Sequence, residues 1–145
     1  MAKEIKTQII INASPEKVWS VLTDLKNYAE WNPFIKSIEG DLESGKRLNI
    51  KISPPGGSTM NFKPKVLELK AGKELKWLGH LLIPRLFDGE HKFELIEQKN
   101  AATLFIQSER FSGVLTNLLP KKVFINTEMG FQQMNQGLKE RVESQ

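Results

Sequence analysis

Two hydrophobic periods share this chain, and they occupy separate stretches of it. In the last third, Val123, Thr127, Phe131, Met134, Leu138 and Val142 recur every three or four residues. That spacing describes one apolar stripe along a single long helix, with Lys122, Glu128, Gln132, Lys139 and Glu143 mostly elsewhere on its circumference. Between Phe34 and Phe111 the pattern is a succession of strands separated by turn clusters. A helix with one apolar stripe and strands with one apolar face bury those surfaces by covering each other, which predicts a two-layer α+β domain with a mostly antiparallel sheet. Gly130 and Gly137 lie near the helical stripe. Glycine weakens a helix, so a close backbone approach or a kept void is the expected reason for both.

The remaining elements follow from local signals. Ile5, Thr7, Ile9 and Ile11 alternate with Glu4, Lys6 and Gln8, a first strand over Lys3 to Asn12. Ser14 is a good helix cap, Pro15 suits the first helical position, and Val18, Trp19 and Leu22 follow at helical spacing. Thr23-Asp24 opens a second short helix with Leu25 and Tyr28, which must stop before Pro33. Leu48, Ile50 and Ile52 alternate with polar neighbours ahead of the turn cluster Ser53-Pro54-Pro55-Gly56-Gly57-Ser58. Phe62, Pro64 and Val66 share a face, but Leu67 and Leu69 take the opposite phase. That slip, with Pro64 inside the run, predicts a bulge or an edge position. Strands are further expected over Glu74 to Ile83, Phe87 to Leu95 and Thr103 to Phe111, and a short helix before Pro120.

Composition removes several functions. The 145 residues form one expected domain, 1–145, long enough to hide roughly 70% of the unfolded surface. With no cysteine, thiol catalysis, iron–sulfur clusters and cysteine zinc sites are excluded. His80 and His91 alone do not define a metal site, and no phosphate loop, dinucleotide fingerprint or nucleophile elbow occurs. No metal or cofactor is therefore expected. The net charge of +4 is spread along the chain, so pairs such as Lys63/Lys65 and Lys121/Lys122 read as solvated faces and nucleic acid is not an expected partner. Met1-Ala2-Lys3-Glu4 reaches charged residues too early for a signal peptide, and no apolar run approaches ~20 residues, which points to a cytoplasmic protein.

The segment Ile11-Asn12-Ala13-Ser14-Pro15-Glu16-Lys17-Val18-Trp19 resembles the opening of START-like proteins of the polyketide cyclase/dehydrase group. Trp31-Asn32-Pro33-Phe34-Ile35, Gly89-Glu90-His91-Lys92-Phe93, Glu109-Arg110-Phe111-Ser112-Gly113 and Thr127-Glu128-Met129-Gly130-Phe131 continue the likeness in order. The resemblance implies a helix-grip fold: a curved antiparallel sheet of about six to seven strands around a long C-terminal helix, two short helices after the first strand, and a hydrophobic cavity between the layers. It implies binding of lipids, polyketides or similar molecules, with cyclase or dehydratase activity in a few members. The architecture follows from it more directly than the activity does.

On that frame the candidate ligand-binding residues are Tyr28, Trp31 and Phe34 from the helix-to-strand corner, Trp77 from mid-sheet, and His91 with Phe93 from one strand face. Phe131 and Met134 join them from the helix. Together they would line an apolar pocket of ~300–1,000 Å³, although each one taken alone reads first as ordinary core. His91 is the notable polar member: a hydrogen-bond anchor, or a general acid/base for an enol or carbonyl ligand, against the plainer reading of a histidine satisfied by its neighbours. Glu109 is its natural partner, depending on the hairpin through Lys99-Asn100. A five-residue connection sets His91 opposite Glu109 and Phe93 opposite Gln107. A four-residue connection turns Glu109 outwards, because one residue of slip reverses every side chain.

Three functions are consistent with these residues. One is a carrier or receptor for a small hydrophobic ligand without catalysis. The second is a cyclase or dehydratase-like enzyme using His91, with or without Glu109. The third is a protein-interaction module. The apolar segments Gly79–Phe87 and Val114–Leu119 read either as lips of the pocket, making transient membrane contact with Lys121 and Lys122 beside them, or as packing and dimer surfaces. Monomer and homodimer both fit.

Overall fold

Strand β1, Lys3–Ile11, sends Ile5, Thr7 and Ile11 into the core, as the alternation requires. The computed structural model describes residues 3–80 and 87–145. After β1 the Ser14 hydroxyl accepts the Lys17 N–H at 3.3 Å and starts helix α1, Pro15–Leu22, which buries Val18, Val21 and Leu22. The second short helix is a 3₁₀ segment, Leu25–Glu30, ending before Asn32. The Asn32 carboxamide oxygen accepts the N–H groups of Phe34 and Ile35 at 2.9 and 2.8 Å and fixes the corner.

Seven strands follow: β2 (Ile35–Glu39), β3 (Asn49–Ile52), β4 (Met60–Phe62), β5 (Lys65–Lys70), β6 (Glu74–His80), β7 (Asp88–Glu97) and β8 (Thr103–Ser112). They form a five-stranded antiparallel sheet in the order β1-β8-β7-β6-β5 and a three-stranded one in the order β2-β3-β4. The expected six- to seven-stranded sheet is therefore divided, and Pro64 marks the division. Pro64 has no N–H to give to a ladder, so β4 stops before it and β5 starts after it. The chain still pairs across the break, through the Arg47–Lys65 bridge and the Leu48 N–H to Pro64 carbonyl bond of 2.9 Å. The two sheets thus continue into one curved surface. The predicted bulge is present, as a register shift between Val66 and Glu68.

Helix α2, Lys121–Glu143, lies against β1, α1 and β8. Its buried residues include Phe124, Phe131, Met134, Leu138 and Val142. At the first turns the stripe differs from the sequence expectation: Phe124 goes in, whereas Val123 is 36% exposed. Phe124 precedes Phe131 by one heptad, a drift of only about 20° around the helix, so it faces inward more directly than Val123. The two helical glycines admit the corner before β2. A Cβ on Gly130 would lie 2.5 Å from Phe34 Cε1, and one on Gly137 would lie 2.5 Å from the Trp31 carbonyl oxygen.

The β7–β8 hairpin adopts the five-residue connection. Glu97 pairs with Thr103, and residues 98–102 turn the chain with Asn100 and Ala101 in left-handed conformation. His91 therefore stands opposite Glu109, and Phe93 opposite Gln107.

Candidate functional site

A hollow of about 90 Å³ lies between the curved sheet and the first turns of α2. Phe34, Trp77, His91, Glu109, Phe111 and Val123 are among the side chains that line it. It is well below the ~300 Å³ at the lower end of common ligand sites. It is also smaller than the ~150 Å³ apolar cavity that accepts benzene in a protein core. Phe34 and Phe131 meet edge to face at 5.6 Å and occupy part of the space between sheet and helix.

His91 is 5% exposed, with its ring among Trp77, Phe93 and Phe131 at centroid distances of 5.2, 4.5 and 4.8 Å. A chain of hydrogen bonds fixes its tautomer. Thr7 donates its hydroxyl to the Gln107 carbonyl at 3.1 Å, an oxygen that can only accept. The Thr7 oxygen in turn accepts from the Asn135 amide at 2.9 Å, and the Asn135 oxygen accepts from the Gln107 amide at 2.7 Å. The Gln107 side-chain oxygen is then left as the acceptor facing His91 Nε2 at 2.9 Å. Nε2 therefore carries a proton. Nδ1 faces Glu109 Oε1 at 3.5 Å, so any second proton on the ring sits between His91 and Glu109.

Glu109 reaches this position because Gly89 has no side chain. A Cβ on Gly89 would overlap Glu109 Oε2. Oε1 turns to His91, and Oε2 lies over the bare Cα of Gly89, itself part of the lining. A second imidazole–carboxylate pair, His80 Nδ1 to Asp88 Oδ1 at 2.7 Å, bridges the ends of β6 and β7.

Of the residues singled out from sequence, Phe34, Trp77, His91 and Glu109 come together around the hollow. Phe93, Phe131 and Met134 are fully buried and lie outside the lining; they fill the layer between sheet and helix. Tyr28 is also fully buried, donates its hydroxyl to the Leu22 carbonyl, and has its ionisation pushed well above the ordinary phenol range by burial and then by Asp24. Trp31 packs on Tyr28 at 5.0 Å, and its indole N–H is buried without a hydrogen-bond partner. Neither Tyr28 nor Trp31 reaches the hollow. Thr7 enters the sequence reading only as one of the alternating residues of the first strand, Asn135 is not among its site residues, and Gln107 enters it only as the residue facing Phe93. The signal for Gln107 was its position on the inward face of β8, between Phe105 and Glu109.

Residues 81–86 of the Gly79–Phe87 run lie outside the described residues. Val114 and Leu118 are 72% and 75% exposed, in the connection between Phe111 and Val123, which both line the hollow. Among the described residues, no group of three or more His, Asp or Glu side chains is placed to hold a metal ion. No helix there is long and apolar enough to cross a membrane.

A sequence model described as polyketide cyclase/dehydrase and lipid transport matches residues 2–143. Among curated proteins, none matches the chain. Solved structures with the same fold include a START superfamily protein from Mycobacterium smegmatis, with 18% identity, a TM-score of 0.77 and coverage of 97% of each chain. The Zhui aromatase/cyclase from Streptomyces sp. R1128 has 12% identity and a TM-score of 0.80, over 99% of this chain and 94% of that one. A protein from Thermus thermophilus has 17% identity and a TM-score of 0.77 over 98% of both.

Proposed function

Because the chain belongs to the polyketide cyclase/dehydrase and lipid transport family, we propose that it binds a small hydrophobic molecule between sheet and C-terminal helix without converting it. The observation that carries this reading is the apolar hollow with one inward carboxyl group, Glu109, beside a histidine whose two ring nitrogens already have partners. Burial of ligand carbon at ~25 cal/mol per Å² supplies the affinity. At 90 Å³ the resting hollow takes a chain end or the edge of a ring, and the rest of a larger ligand extends past Val123, a lining residue that is 36% exposed. The exposed Val114 and Leu118, followed by Lys121 and Lys122, suit a transient contact with an anionic bilayer as the place of loading.

Native mass spectrometry of freshly purified protein tests the reading, together with titration by a single-ring apolar compound. A bound molecule in the wild type that is lost in Val123→Trp, which crowds that position, is the expected result. No retained molecule and no binding of any apolar compound would refute it.

A second reading is favoured by the inward turn of Glu109. If a carbonyl ligand were converted, Glu109 Oε2 would be the group that moves the proton, and His91 would hold the carboxyl in place through Oε1. Turnover by the wild type that is lost in Glu109→Gln, with ligand binding retained, would establish it over the first.

A further inference from the structure

The geometry points to Glu109 as the residue that decides which head group the hollow accepts: a hydrogen-bond donor is admitted and a carboxylate is refused. This rests on the ligand-binding reading above. The polar groups of the lining are few, and most are already engaged. His91 has Nε2 committed to Gln107 and Nδ1 turned to Glu109. The Thr127 hydroxyl gives its hydrogen to the Val123 carbonyl at 2.7 Å. Gly79 and Gly89 face each other in the β6–β7 ladder. Among the described lining residues Trp77 carries the one remaining side-chain N–H, which is neutral and single. Among the described residues that line the hollow, none is basic apart from His91.

Glu109 Oε2 is an acceptor wherever the neighbouring proton resides. With the proton on His91 Nδ1, both carboxylate oxygens accept. With it on Oε1, Oε2 is the carbonyl oxygen and still accepts. With no proton between them, Glu109 is an anion in an apolar wall. In the first and third states a ligand carboxylate meets a like charge, and in all three it finds no free cation among the described lining residues to replace its water. A neutral hydroxyl or N–H on a flat ring meets the acceptor it needs. The hollow is thus built for donor-headed rings and against acid-headed lipids of equal apolar size.

The test compares 4-butylphenol, 4-butylbenzoate and butylbenzene by isothermal titration calorimetry near neutral pH, on the wild type and on Glu109→Gln. The expected result is wild-type binding of the phenol at least tenfold tighter than the benzoate, with butylbenzene between them. In Glu109→Gln the gap narrows several-fold, chiefly through gain of benzoate affinity. Equal affinities for phenol and benzoate in the wild type, which needs no variant, overturn the inference and leave ligand binding standing. A preference that survives unchanged in a folded Glu109→Gln protein also overturns it, by assigning selectivity to another group. Binding of none of the three overturns the underlying reading, and the inference with it.

Discussion

Gly137→Ala sets helix propensity against packing, and the structure says which prevails. In an unobstructed helix interior, replacing glycine by alanine stabilises by about 1 kcal/mol. At Gly137 the new methyl would sit 2.5 Å from the Trp31 carbonyl oxygen and 3.3 Å from Pro33 Cδ. The first of these atoms is backbone, at the end of the 3₁₀ segment, and cannot turn aside as a side chain would. Forced packing of this kind costs about 1–3 kcal/mol, and a backbone neighbour places this case at the upper end. The net expectation is a loss of about 2 kcal/mol, or about 4–8 °C in melting temperature for a chain of this size. Thermal and urea unfolding measure it, with Gln136→Ala on the exposed side of the same turn as the control, expected within about 0.5 kcal/mol of wild type. A Gly137→Ala protein as stable as wild type, or more so, would refute the argument that the Trp31–Phe34 corner dictates this glycine. Gly130→Ala should cost less, since its new methyl meets the Phe34 side chain, which lines the hollow and can turn towards it.

Gln107→Leu should orphan His91 Nε2 and the Asn135 oxygen at once; each buried unpartnered group costs about 1–3 kcal/mol, and the nitrogen NMR shifts of His91 should report loss of the fixed tautomer. Unchanged stability and shifts would show that the chain of bonds does not hold the ring. The Glu143 carboxyl is held below its usual range by the Asn12 N–H and then by Lys139. A depressed folded value adds stability above the unfolded pKa, lost as pH falls through the folded one. The melting-temperature difference between wild type and Glu143→Gln should therefore be largest near neutrality and vanish in acid. Leu118→Glu combined with Lys121→Glu should abolish cosedimentation with phosphatidylglycerol vesicles while leaving the fold intact; retained cosedimentation would remove the bilayer as the loading site.

Much of the fold was legible because its signals are local. Ser14-Pro15 starts α1, and the slip at Leu67 announces the bulge. The seven-residue spacing of Gly130 and Gly137 marks a close approach, though not to which partner. The division of the sheet at Pro64 was only half legible: proline forbids one ladder bond, but whether the curved surface continues depends on pairing by Arg47 and Leu48, remote in sequence. The site was less legible still. Large apolar residues look alike whether they line a hollow or fill it, and the sequence cannot say that Phe93, Phe131 and Met134 do the latter. The Glu109 orientation turned on a single residue in the hairpin connection. Gln107 and Asn135 escaped as functional residues because a buried amide is recognised by its partners, and these partners lie on β1, β7 and α2.

The hydrogen bonds of Gln107 form a closed ring: out through its side chain to Asn135, on to Thr7, and back to its own backbone carbonyl. That ring rivets α2 to β1 and β8 at the helix's middle. Beyond it, Lys139 grips the Ile10 carbonyl, Arg141 reaches Glu30, and Glu143 takes the Asn12 N–H. The opposite end, from Lys121 to Met129, shows Ile125 and Met129 to water. The helix is therefore fastened by polar contacts along its far half, whereas its near half is held by apolar packing, Phe124 meeting Phe111 edge to face at 5.2 Å.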